Sequence, residues 1–400
     1  MIEIREKEKC CGCTACAAVC PVQCIEMKKD QEGFSYPEAA NDRCVDCGLC
    51  EKVCPVLEKH GEVEATDVYF FQSHAEEDRR YSTSGAFFAE IGKTFLAQGD
   101  AVYAVLYDQN MEVVHQRAGS KRDLDAMRMS KYVQSRMNGI LAEIKEDLAM
   151  GRRVLFVGTP CQTAGVYRAA ERLCKKQMDQ LHLIDLECYG VPSPGLYRRW
   201  IQELEKKYGS EVASIYFRDK KYGYAGVNVK VVLKNGKILE DCVDVKTFTR
   251  TMFSGIGLRP SCYHCPFRSQ KKYADLTLGD GWLVSEEFPE LDDDKGTTKI
   301  YVNSEKGREL LALADGICVK GKQRPAVLYG VDKKQHEKRP EFFAAAESMT
   351  YEELIGKFLP TTGKDRLANA LKPWIRKAPF SKTFFRTLKK IKRWKRKHHR

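Results

Sequence analysis

Past residue 66 the spacing of apolar positions switches repeatedly between a period of two and a period near 3.6, and each switch marks an element. Residues 68–72, 101–107 and 113–117 read as strands. Between the first two, Ser82-Thr83-Ser84-Gly85 opens a helix with Phe87, Phe88, Ile91 and Phe95 on one side, closed by Gly99. A helix over 138–150, a short buried strand over 154–157, a helix from near Gln162, a strand over 182–187 and a helix over 194–208 follow. Residues 227–233 and 237–242, joined by Asn235-Gly236, predict a hairpin, and Asp275 to Trp282 a strand running into a glycine turn. This order predicts an α/β main domain with α+β additions. Residues 333–348 and 351–358 read as polar helices, a cap on that body. At the end of the chain Phe380, Phe384, Leu388, Ile391 and Trp394 share one face of a basic amphipathic helix. No run of eighteen apolar residues occurs, so no spanning helix is expected.

Charge changes the picture only locally. The chain has 67 Lys and Arg against 55 Asp and Glu. Residues 376–400 hold twelve of the basic residues and no acid, so 67 less 12 leaves a neutral body of 55 against 55. The excess belongs to the tail, which suits an anionic membrane surface or a solvated extension; no nucleic acid is expected as a partner, since the apolar face would have no use there.

Cysteine changes it most. There are 17, ten of them within residues 10–54. The N-terminus shows no apolar leader, so a cytoplasmic setting with metal-bound thiolates is expected rather than a disulfide scaffold. Cys10, Cys13, Cys16 and Cys20-Pro21 spell C-x2-C-x2-C-x3-C-P, and Cys44, Cys47, Cys50 and Cys54-Pro55 repeat it 34 residues on. Three thiolates of each run can face one iron–sulfur cube while the fourth reaches the other. That spacing predicts one [4Fe-4S] cluster on Cys10, Cys13, Cys16 and Cys54, and a second on Cys44, Cys47, Cys50 and Cys20, in a bacterial two-cluster ferredoxin-like domain over 1–62. Cys11 and Cys24 are surplus thiols near the clusters.

Cys161 and Cys188 each follow a predicted strand and precede a helix, so parallel strands would bring both to one carboxyl edge of the sheet. Cys262 and Cys265 add a C-x2-C pair from a loop. The four make a thiolate site for which a third cluster, structural zinc and a redox-active Cys161 all stay open on spacing alone. Ser84 and Gly85 at a helix start are a candidate phosphate cradle; Lys131, Tyr132 and Gln134 offer a cation, an aromatic face and a donor; Asp280 could orient a cofactor.

In order, these motifs are S-G at a helix start, S-K-Y-V-Q-S, G-T-P-C-Q, C-x-G-V-P-S-P, and C-x2-C with A-D-x-T-x-G-D and a Trp. Over residues 1 to about 325 the chain resembles the coenzyme F420 hydrogenase/dehydrogenase beta subunit family with a fused ferredoxin domain. The resemblance implies an iron–sulfur flavoprotein oxidoreductase. It implies FAD at the residues above, a [4Fe-4S] cluster on Cys161, Cys188, Cys262 and Cys265, and electron exchange between clusters and flavin. It further implies a ferredoxin or another electron-transfer protein as partner and a small organic substrate, which in archaeal members is the deazaflavin F420. The chain departs from many relatives at Ala86, Tyr189, Gly281 and Leu283, which puts F420 use in most doubt. The other reading is a non-catalytic subunit relaying electrons to a separate protein. The expected division is 1–62 ferredoxin-type, 63–325 main domain, 326–375 helical cap and 376–400 basic tail, in a cytoplasmic protein that the tail could hold at the inner face of a membrane.

Overall fold

The computed structural model describes residues 2–322, apart from 138, 227 and 241, together with 336–361, 363 and 387. The basic amphipathic stretch expected over 376–400, and the first part of the expected cap, lie outside the described residues. Among the described residues no helix is long and apolar enough to cross a membrane.

The main domain is built on an eight-stranded mixed sheet. Its strand order is Gly316–Lys320, Asp67–Ser73, Thr298–Val302, Leu276–Asp280, Leu181–Leu186, Val154–Gly158, Ala101–Tyr107, Val113–Arg117. The four strands from Leu276–Asp280 to Ala101–Tyr107 are parallel, and the flanking pairs are antiparallel. Side chains alternate across the sheet, and both faces are covered. Ala101, Tyr103, Val154 and Phe156 pack with the helices Ile140–Ala149 and Pro160–Leu173 on one face. Val102, Ala104, Leu155 and Val157 pack with Phe87, Ile91 and Phe95 of the helix Phe87–Ala97 on the other. A smaller sheet of Val212–Asp219, Asn228–Leu233 and Ile238–Glu240 closes a second core with the helices Pro194–Tyr208 and Val243–Phe253.

The helix starts are written in the residues that precede them. Thr159 and Gln162 form a capping box around Pro160 at the first helical position, and the Ser193 hydroxyl accepts from the Leu196 amide at 3.0 Å ahead of Pro194. The helix expected to open at Ser82–Gly85 begins later, at Phe87, because Ala86 sits in the left-handed region at φ 70° and breaks the run.

The ferredoxin-type segment docks on the body at two places. Its hairpin, Ile25–Lys29 with Ser35–Ala39, turns against the start of the Pro194 helix, where the Ser193 hydroxyl donates to the Glu32 carbonyl. Arg339 fastens the same turn, donating to the Glu32 carboxylate and, at 2.9 Å, to the Leu258 carbonyl. The first cysteine loop lies against Pro160–Leu173, where Cys11, Cys13, Ala15 and Val19 join the main core.

His115, buried in the edge strand, stacks on Phe156 with ring centroids 5.0 Å apart. Its Nε2–H donates to the Val157 carbonyl at 3.1 Å, and Nδ1 accepts from Ser135 at 2.9 Å. Burial pushes its pKa down to about 4, the hydrogen bond to Val157 opposing only in part. A histidine lowered in the folded state stays neutral there while the unfolded chain takes up a proton below about 6.5. Folding stability should therefore be undiminished above pH 6.5 and fall by about 3 kcal/mol as the pH drops to 4. Denaturant titrations of wild type and His115→Gln across that window check this: the wild type should lose more stability than the variant.

Candidate iron–sulfur centres and cofactor basin

The first cysteine run closes around a small cavity. Cys10, Cys13, Cys16 and Cys54 line it together, and the second run supplies the fourth of these thiols. Burial, followed by the charges of Cys10 and Cys54, pushes Cys16 up to about 12. Cys24 stands beside the other set: its Sγ lies 3.5 Å from that of Cys20, and its amide donates to Cys20 Sγ at 3.3 Å. The Ile2 amide donates to Cys50 Sγ at 3.3 Å. Cys10, Cys13, Cys16 and Cys50 are buried whereas Cys47 is exposed, so the first loop faces the body and the second faces outward.

The third site forms at the carboxyl edge of the sheet. The strand ending at Gly158 and the strand ending at Leu186 are parallel, so the turns after them emerge side by side and deliver Cys161 and Cys188. Cys262 and Cys265 come from the loop after Val243–Phe253, which is tied to the Cys188 turn by the Arg259 amide donating to the Val191 carbonyl at 2.9 Å and by Arg268 donating to the Tyr189 carbonyl at 2.8 Å. All four cysteines line one cavity of about 30 Å³. Gly190, at φ 136°, lets this turn approach Leu258 and Cys262; a Cβ there would stand 3.0 Å from Leu258 Cδ1.

Burial raises the pKa of Cys188, Cys262 and Cys265, Cys262 to about 12, and the neighbouring thiolates raise each further. Cys161 sits at the second position of its helix, where the dipole would favour a reactive thiolate. It is nevertheless raised, first by its hydrogen bond with Cys11 and then by burial. The arrangement is thus unlike an activated cysteine. Among the described residues no three His, Cys, Asp or Glu side chains are drawn together about a single metal ion. The thiols surround a space instead.

Cys11 is not a bystander. Its thiol is the hydrogen-bond partner of Cys161, and with Val56 it lines both the Cys10–Cys54 cavity and the Cys161–Cys265 cavity. The doublet Cys10-Cys11, two adjacent thiols where the motif needs one, was the signal for it.

The six residues expected to hold FAD do not share one basin. Ser84, Tyr132 and Asp280 do come together. The Asp280 carboxylate accepts both Nη atoms of Arg218, at 2.8 and 3.2 Å, and the Tyr224 hydroxyl at 2.8 Å; Arg218 also donates to the Tyr132 hydroxyl at 3.2 Å. Lys220 donates to the Ser84 carbonyl at 2.6 Å, and the Trp282 ring stacks on Tyr224 at 4.1 Å. Burial, then the charges of Arg218 and Arg79, pushes Lys220 down to about 7. Arg218 remains charged: burial opposes the cation, but Asp280 outweighs it.

The other three differ from expectation. The Gly85 amide is spent on Thr298 Oγ1 at 2.8 Å, because the glycine is pressed against a neighbouring strand; a Cβ would come 2.1 Å from the Phe71 carbonyl oxygen. Lys131 turns back onto the carbonyls of Ala126 and Arg128, at 2.6 and 2.8 Å, neutralising the end of the helix Lys121–Met127. Gln134 faces the cysteine loop, donating to the Cys11 carbonyl at 3.0 Å. Arg218, Lys220 and Tyr224 were missed, since they lie on a strand end and turn without a motif.

Comparison with known proteins agrees with this geometry. Residues 9–57 match the 4Fe-4S dicluster domain, so the chain is an iron–sulfur protein with a ferredoxin-type N-terminal domain. Residues 151–320 match the C-terminal domain of the coenzyme F420 hydrogenase/dehydrogenase beta subunit, and the chain belongs to that family. It is 24% identical over 294 residues to one of the subunits of the F420H2 dehydrogenase of Methanosarcina mazei, covering 70% of this chain and 79% of that one. A chain of the xenon-derivatised F420-reducing [NiFe] hydrogenase complex from Methanosarcina barkeri superposes with a TM-score of 0.45 at 16% identity, over 75% of this chain and 94% of that one.

Proposed function

We propose that this protein is an iron–sulfur flavoprotein oxidoreductase carrying electrons along a line of three [4Fe-4S] clusters. The outermost, on Cys44, Cys47, Cys50 and Cys20, exchanges electrons with a ferredoxin or another electron-transfer protein at the exposed Cys47. The middle one is held by Cys10, Cys13, Cys16 and Cys54, and the innermost by Cys161, Cys188, Cys262 and Cys265. The observation that carries the reading is the shared wall: Cys11 and Val56 alone line both inner cavities, so the two cluster sites are near neighbours. Thiols set around a space suit a cube; a zinc ion would draw its four sulfurs to within about 3.8 Å of one another.

The basin of Arg218, Lys220, Tyr224 and Trp282, with Ser84, Tyr132 and Asp280, fits a flavin nucleotide in part. It offers two cations for phosphate, a stacking surface and a paired carboxylate. A flavin there would couple one-electron clusters to two-electron chemistry on an organic substrate or a deazaflavin. This chain's residues would bind its phosphates, hold its ring and exclude water. Gly85 and Lys131, whose polar groups are used internally, favour the second reading: a relay subunit without flavin that hands electrons to a separate partner.

Anaerobic purification of the full chain with iron, sulfide and flavin counts tests both. About twelve iron and twelve sulfide per chain with one flavin is the expected result. The same iron without flavin would replace the first reading by the second, and colourless protein with zinc alone would overturn both.

A further inference from the structure

Arg259 lies between the two inner cluster sites. Its side chain is 1% exposed and lines the cavity of Cys161, Cys188, Cys262 and Cys265. From there it reaches into the ferredoxin-type segment. Nε donates to the Cys10 carbonyl at 2.8 Å, Nη1 to Gln134 Oε1 at 2.8 Å and Nη2 to the Ser35 carbonyl at 3.0 Å, and Nη2 stands 3.6 Å from Cys10 Sγ. The guanidinium stacks over Tyr36 at 4.3 Å. Gly12 makes room for it, since a Cβ there would stand 2.9 Å from Nη1.

These acceptors are two carbonyls, an amide oxygen and a thiol sulfur. None is a carboxylate, so a full positive charge is buried without a permanent counter-charge among them. Such burial is costly unless something nearby supplies negative charge. Arginine cannot escape the cost by losing its proton. The sulfur ligands on either side can supply that charge.

We propose that Arg259 is a positioning residue of the electron path, a fixed cation that favours the reduced state of both the middle and the innermost cluster. This inference rests on the iron–sulfur reading above. A cluster gains one unit of negative charge when it accepts an electron. A buried guanidinium beside its ligand sulfur stabilises that added charge, and a hydrogen bond to the sulfur acts in the same direction. In the transfer itself one electron leaves the middle cluster and enters the innermost; the guanidinium stays charged and passes no proton. Touching both sites, it raises both potentials together and so keeps the step between them shallow. The outermost cluster, on the far side of the ferredoxin-type segment, lies outside its reach.

The test is a potentiometric titration of the anaerobic full chain followed by electron paramagnetic resonance, in wild type, Arg259→Gln and Arg259→Lys. In Arg259→Gln the ratio of reduced to oxidised middle and innermost cluster at fixed potential should fall at least tenfold, about 59 mV for one electron. Arg259→Lys, which keeps the charge and loses the fork, should shift less. The outermost cluster should stay at its wild-type potential in both. Full iron with unshifted potentials, or an equal shift of all three clusters, would overturn the inference. Loss of iron from both variants would also overturn it, since Arg259 would then be a structural clamp. Failure of the underlying reading shows separately, as fewer than three cubes in the wild type, and would end both.

Discussion

Replacing Cys262 or Cys161 by serine should remove about four iron per chain while leaving the two ferredoxin-type clusters in place. Both thiols line the inner cavity, and neither has a substitute among the four: Cys188 and Cys265 already occupy the remaining corners. Cys11 is the one other thiol at that wall, and its partner is Cys161 itself. Serine is a poor ligand for iron compared with a soft thiolate, so the cube should be lost or reduced in occupancy rather than merely shifted. The N-terminal sites draw no ligand from the body, and their match over residues 9–57 is complete within the first segment. Iron counts joined to the visible spectrum decide the matter. Unchanged iron in both variants would show that the inner thiols hold no cluster. Loss of all iron would show that the three sites do not form independently.

The cysteine pattern made most of this site legible in the sequence. A four-thiol run repeated at a fixed offset allows few geometries, and the strand–turn–helix position of Cys161 and Cys188 places both at one sheet edge through the parallel rule. The elements followed the period of the apolar residues closely, as at the helix Pro194–Tyr208 and the strands Ala101–Tyr107 and Val113–Arg117. What stayed hidden depends on contacts between distant segments. Arg259 follows Leu258 and precedes Pro260 in a loop, with no periodicity to mark it, and its meaning comes from Cys10, Ser35 and Gln134, none within 100 residues of it. Lys131 misled for a local reason: a lysine four residues past the helix Lys121–Met127 is drawn to that helix's own carbonyls before any ligand. Gly85 misled because glycine serves close backbone approach as readily as anion binding, and here the approach to Phe71 accounts for it.

Gly165→Leu should separate the ferredoxin-type segment from the body and cut electron flow to the innermost cluster. Gly165 lies on the buried side of the helix Pro160–Leu173, and the first cysteine loop rests directly on it. A Cβ would stand 2.6 Å from Cys13 Cβ, 2.8 Å from its Sγ and 3.2 Å from its carbonyl oxygen. None of these atoms is the free end of a flexible side chain: two are fixed by the backbone, and Sγ would be fixed by its iron. An alanine already overpacks the contact, at a cost of about 1–3 kcal/mol, although it is the better helix former. A leucine cannot be accommodated without moving the loop. The loop carries Cys11, whose thiol meets Cys161, so its displacement opens the wall between the two inner cavities. Stopped-flow reduction of the full chain, read at the innermost cluster, should slow by at least tenfold in Gly165→Leu while Gly165→Ala falls between it and wild type. Iron in the outermost cluster should be unchanged, because its ligands lie away from this helix. Wild-type reduction rates in the leucine variant, with all iron retained, would mean that electrons reach the inner site by a route that does not cross the Cys13–Gly165 contact.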